Sequence, residues 1–140
     1  MTAWGRRIGF TGTREGMTKA QADKVALLIA QAAEWHHGEC IGADAQTHAI
    51  ALDLMTPIVL HPPDNTALMA DCPGAYATRA PRPYLDRNRD IVDETDEMVA
   101  AVAGPEVHRS GTWSTIRYAK GRGRKVTTIW PDGPVTIDGI

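Results

Sequence analysis

The clearest chemical signal in the chain is the run Arg109-Ser110-Gly111-Thr112-Trp113-Ser114-Thr115. It lies between the apolar run Met98–Ala103 and a helix-like segment leading into Lys125–Trp130. A strand, a small-residue turn and a helix, in that order, leave unpaired backbone N–H groups at the start of the helix. Those amides and the positive end of the helix dipole favour an anion, so Ser110, Gly111 and Thr112 are candidates for holding a phosphate. The simpler reading is that Ser110 or Thr112 only caps the helix. Trp113 follows directly, suited either to stacking on a base or to packing against a neighbouring loop.

Other residues point the same way. Gly9, Gly12 and Gly16 are not spaced as the dinucleotide fingerprint requires. Gly12 still lets backbone approach a ligand closely, and Arg14 offers a planar fork to a phosphate or is a solvated loop charge. Asp44 is explained as a helix N-cap, with a ribose hydroxyl as its alternative partner. Arg79, Arg82, Arg87 and Arg89 make one region basic. That is a solvated face unless an arginine and Asn88 turn inward, where they suit a phosphate or a base edge. Lys120, Arg122, Arg124 and Lys125 fall at a helix end and complement its dipole, with a nucleic-acid patch as the alternative reading. His36, His37 and Cys40 lack a second clustered pair, so no metal site is expected.

Strands alternating with helices must position these residues. Arg7–Thr11 reads as a first strand. Thr18 caps a helix with apolar positions at Val25, Leu28, Ile29, Ala32 and Trp35, ended by Gly38. Cys40-Ile41 reads as the tip of a second strand, Asp44 to about Leu54 as a helix, and Pro57–His61 as a third strand. Residues 64–83 show no period and read as a long, functional loop. A helix over Tyr84–Thr95, the strand near residue 98, the helix after Ser110 and a strand at Lys125–Trp130 complete the pattern, with 131–140 as a short tail. This predicts an α/β, doubly wound, mostly parallel sheet of five or slightly more strands, with helices on both faces. The loops at 11–16, 41–44, 61–63 and 109–113 should then converge at the carboxyl edge.

The 140 residues suit a single domain spanning 1–140, and 43% hydrophobic with 23% charged residues is an ordinary globular balance. A formal charge of −2 gives no general pull toward nucleic acid or membrane. Two cysteines, Cys40 and Cys72, fit reduced thiols in a cytoplasm, and no signal peptide or membrane-length apolar run is present.

Taken together, the motifs resemble the SLOG superfamily, the Rossmann-like group that includes the DprA/Smf proteins and the Lonely Guy (LOG) enzymes. Thr11-Gly12-Thr13-Arg14 resembles its first glycine loop, and Gly38-Glu-Cys-Ile-Gly42-Ala-Asp44 its GGAxGAD element. His61-Pro-Pro63, Pro83-Tyr-Leu-x-Arg87-Asn88 and Ser110-Gly-Thr-Trp113 resemble the small single-domain branch of bacterial and phage genomes. The resemblance covers residues 6 to 133 and implies a Rossmann-like nucleotide-binding domain, a nucleotide-derived ligand over the strand ends, and a homodimer. Its site residues would be Gly12, Thr13, Arg14, Gly42, Asp44, His61, Arg87, Asn88, Ser110, Gly111, Thr112 and Trp113. Two departures stand out. Glu39 replaces a glycine of GGAxGAD. Thr115 occupies the position of the glutamate that serves N-glycosidic chemistry in LOG enzymes, and threonine supplies neither negative charge nor a base.

The expected function is therefore binding of a nucleotide-type small molecule, as a sensor or sequestering protein, with no cofactor. The alternative is a LOG-like hydrolase of nucleoside monophosphates using Asp44 or Arg87. DprA-like single-strand DNA binding is a third reading, weakened by the charge and by few aromatics, among them Trp4, Trp113 and Trp130.

Overall fold

The computed structural model describes residues 5–139; Trp4 lies outside them. Seven strands form one sheet, in the order β4-β3-β2-β1-β5-β6-β7. The first strand, β1 (Arg6–Gly12), pairs in parallel with both β2 (Ala32–His37) and β5 (Glu97–Ala101). On one side β3 (Ile58–Leu60) and β4 (Ala77–Thr78) continue the sheet; on the other, β6 (Lys125–Ile129) does. Only β7 (Val135–Asp138) runs antiparallel, along the outer edge of β6.

Alternating side chains on the central strands feed two cores, as a pleated strand requires. Ile8 and Phe10 of β1, with Val99 and Ala101 of β5, join the core under α1 (Lys19–Ala30) and α2 (Ala43–Asp53). Met98 and Ala100 point the other way, into the core under α3 (Tyr84–Glu94) and α4 (Gly111–Gly121). Thr18 caps α1 as expected, in a capping box with Gln21. The buried Gln21 amide also donates to the carbonyls of Val102 and Ile129, at 2.8 and 2.9 Å. That bond pair anchors α1 beneath the strand ends where the site lies.

Four local expectations need correction. The first helix ends at Ala30, and Ala32–His37 is a strand. Trp35 fits the helical spacing but sits fully buried in that strand, stacked on Phe10 with ring centroids 5.5 Å apart. Pairing with β1 and β3 overrides the local period. Asp44 is not the cap of α2: Gly42 holds the cap position, and the Asp44 carboxylate reaches back to earlier amides. Cys40 forms an isolated bridge with Met69 and is no part of the second strand. Finally, 64–83 contains a short 3-10 turn (Thr66–Leu68) and β4, and the expected tail contains β7.

Candidate functional site

The order of the sheet reverses between β1 and β5, so the loops leaving them diverge and open a cleft. Its volume is about 1030 Å³. One wall is the β1 loop, with Gly12, Thr13 and Arg14; another is made by Val102, Ala103, Gly104, Pro105 and Val107 with the start of α4. Ile41, Leu68, Tyr84 and Leu85 supply a largely apolar third side.

The start of α4 is open. Ser110 caps the helix: its hydroxyl accepts from the Trp113 amide at 3.3 Å, and its carbonyl accepts from Ser114 at 2.9 Å. The Gly111 and Thr112 amides have no hydrogen-bond partner among the described residues, and both line the cleft. Exposed Arg14 and Arg109 line it as well, and neither enters an ion pair among the described residues. Free amides, a helix dipole and two unpaired guanidinium groups together form a place for an anion.

Beneath the cleft is a recess of about 20 Å³, room for one water. Asp44, Arg87 and Asn88 line it, and Gly12, Cys40, Tyr84, Gly111 and Thr112 border both spaces. Arg87 is buried, and its donors go to the chain itself. Nη1 donates to the carbonyls of Gly38 and, at 3.0 Å, His61; Nε donates to Asn88 Oδ1 at 2.8 Å. The guanidinium lies 4.6 Å from the centre of the Tyr84 ring and 3.6 Å from Cys40 Sγ. Asp44 Oδ2 accepts from the amides of Gly38 at 3.1 Å and Cys40 at 3.2 Å. Burial pushes the Asp44 carboxyl up to about 6, against the opposing pull of Arg87 and the two amides.

The candidate residues fall into three groups. Gly12, Thr13, Arg14, Ser110, Gly111, Thr112 and Trp113 line the large cleft, and Asp44, Arg87 and Asn88 line the recess below. Gly42 and His61 line neither. Gly42 has φ +86°, and a Cβ there would overlap the Arg14 carbonyl, so its glycine sets how the β1 loop meets α2. His61 is buried against His36, and burial together with His36, Arg79 and Arg87 pushes its imidazole down to about 3. Trp113 is also mostly core, 7% exposed and packed on Trp130 at 5.8 Å.

Thr115 is buried and spends its hydroxyl on the Gly111 carbonyl, at 2.8 Å. Sequence reasoning missed Cys40, Tyr84, Arg109 and the 102–107 loop as lining groups. Cys40 and Arg109 lay inside motifs already marked, but nothing in residues 102–107 signalled a wall.

No protein-family model and no curated protein sequence gives a significant match to the chain. Solved structures do resemble it, among them two that cover most of this chain. One is the molybdenum cofactor binding protein from the phototrophic bacterium Rippkaea orientalis: TM-score 0.71, 20% identity, covering 92% of this chain and 78% of that one. The fold is Rossmann-like. The other is TM1055, a structural-genomics target, at TM-score 0.63 and 15% identity over 86% of this chain and 72% of that one. Among the described residues of this Rossmann-like chain, no helix is long and apolar enough to cross a membrane.

Proposed function

We propose that this chain is a SLOG-type domain that binds a nucleotide or nucleotide-derived ligand, as a sensor or sequestering protein. The observation that carries this reading is the open start of α4, where the free Gly111 and Thr112 amides face the cleft between Arg14 and Arg109. A phosphate would sit against those amides, and a flat heterocycle would lie along Ile41, Leu68 and Tyr84. The resemblance of the binding motifs to the SLOG superfamily supports the same ligand class and a homodimer. The molybdenum cofactor named for the R. orientalis protein also joins a flat heterocycle to a phosphate, so it belongs among the ligands to be tried.

A specific observation favours hydrolysis as the second reading. Asp44, with its raised carboxyl pKa, borders a recess with room for one water directly beneath the proposed anion site. A base of that kind beside space for a water suits attack by that water on an N-glycosidic carbon.

The test is thermal-shift measurement against nucleoside monophosphates, cyclic nucleotides, NAD, ADP-ribose and molybdenum cofactor, with mass spectrometry of each mixture. Ligand at one hundred times its Kd should add about 2.7 kcal/mol of stability. A shift with the ligand intact supports the sensor reading, and a shift with cleavage supports the hydrolase. No shift from any of these compounds overturns both.

A further inference from the structure

His36 and His37 point to opposite faces of β2, and each meets a second histidine. The two pairs are wired differently.

His37 Nε2 lies 2.9 Å from His48 Nδ1. The Glu39 amide donates to His37 Nδ1 at 3.0 Å, so the hydrogen of that ring is on Nε2 and is given to His48. His48 Nε2 then donates to the Pro73 carbonyl at 2.7 Å. Every ring nitrogen has its partner. Cys72 lies close by, but an ion bound there would move the His37 hydrogen onto Nδ1, facing the Glu39 amide. The main chain opposes a metal on this face.

The other face lacks that obstacle. His36 Nε2 lies 2.9 Å from Glu34 Oε1, and a carboxylate only accepts, so the hydrogen sits on Nε2. Its Nδ1 therefore presents a lone pair, 2.9 Å from His61 Nε2. Glu94 Oε1 lies 3.9 Å from that same His61 nitrogen. One donor atom from each of His36, His61 and Glu94 falls within 4.8 Å of the other two.

We propose that His36, His61 and Glu94 form a binding site for a divalent transition-metal cation of the zinc type. Donors around a tetrahedral zinc stand roughly 3.3 Å apart, given metal–ligand bonds of about 2.0–2.2 Å. The observed 2.9 and 3.9 Å separations lie on either side of that value. On binding, His61 moves its hydrogen from Nε2 to Nδ1, so both rings bind as neutral imidazoles. Glu34 holds the outer N–H of His36, the arrangement that orients a metal-bound histidine and raises its basicity. Arg79 donates to Glu94 Oε1 at 2.8 Å, and a carboxylate oxygen that accepts one hydrogen bond keeps a further lone pair for the ion. Both imidazoles are buried, whereas Glu94 is half-buried and gives the cation its way in.

Such an ion would tie β2, the end of β3 and the last turn of α3 together. The His61 carbonyl also holds Arg87 at 3.0 Å, so the ion would brace the floor of the cleft from behind.

The full chain, stripped of metal by a chelator, is titrated with Zn²⁺ by calorimetry and with Co²⁺ by visible absorption. The expected result is one ion per chain with a Kd on the order of micromolar or tighter, and a Co²⁺ ligand-field band. Glu94→Gln, at a half-buried position that does not threaten folding, should weaken binding at least about tenfold, and Cys72→Ser should leave it unchanged. Failure of wild type to take up either ion stoichiometrically overturns the proposal. So does binding that Glu94→Gln spares.

Discussion

The rim and the floor of the cleft both carry arginines, yet they use them in opposite ways. At the rim, Arg14 and Arg109 are exposed and unpaired among the described residues, beside two amides with no partner. On the floor, Arg87 gives its donors to the carbonyls of Gly38 and His61 and to Asn88, while Asp44 accepts from the amides of Gly38 and Cys40. An exposed charge has no desolvation to offset, so the rim keeps its binding capacity at little cost to the fold. A buried charge must find partners, and the floor finds them in loops that follow β2 and β3. The floor thus fixes loop geometry, and the rim is left free for the proposed ligand.

Removing Arg87 is the strongest way to break that contrast. Arg87→Ala strands two carbonyls and vacates the space beside Tyr84, and breaking a buried charged network of this kind costs about 3–5 kcal/mol. At roughly 2–4 °C per kcal/mol for a chain of this size, the melting temperature should fall by about 10 °C or more. Differential scanning calorimetry measures it directly. A change of only a degree or two would make Arg87 a rim-type residue, free to serve the ligand.

Asp44 sharpens the comparison through pH. In the fold its carboxyl keeps a proton up to about 6, whereas its ordinary value is 3.8. Below that ordinary value folded and unfolded chains are both protonated, and the fold suffers no penalty from this group. As pH rises toward 6 the unfolded chain ionises first, so stability declines, by at most about 3 kcal/mol once the folded carboxyl has also ionised. The side-chain amide introduced by Asp44→Asn cannot titrate, but its oxygen can still accept from both backbone amides. Wild type should therefore lose stability relative to Asp44→Asn between about pH 4 and 6, read from urea unfolding across that range. Parallel stability profiles would mean that the carboxyl is not desolvated.

The helix-start part of the rim was legible in the sequence because its signals are local, although Arg109 and the wall before it were not. Ser110, Gly111 and Thr112 announce a helix start, and the apolar runs of β3, β5 and β6 announce strands, each within a few residues. On the floor the sequence marked Asp44, Arg87 and Asn88 but not what they touch, because their partners are distant. Arg87 reads as one of four arginines on a polar segment, and only the fold brings the Gly38 and His61 carbonyls to it. Asp44 obeys a local capping rule that the reach back to Gly38 and Cys40 displaces. The boundary between α1 and β2 escaped for the same reason: Ala32 and Trp35 keep helical phase, and it is pairing with β1 that makes them a strand. β4 and β7 are short edge strands, too brief or too exposed to leave a pattern.

The smallest effect on stability should come from Arg109. Its side chain is exposed and lies outside both cores, so Arg109→Ala should leave the melting temperature of the free protein within about a degree of wild type. Its effect belongs to binding. A hydrogen bond to a charged group contributes about 1.5–3 kcal/mol, so affinity for a phosphate-bearing ligand found in the panel should fall by roughly tenfold or more. The contact is a screened one at the rim, so raising the salt concentration should weaken wild-type binding more steeply than it weakens the variant. Calorimetric titration at low and high salt provides both readings. A large loss of stability in Arg109→Ala would erase the distinction between rim and floor. Unchanged affinity would move the anion away from the start of α4.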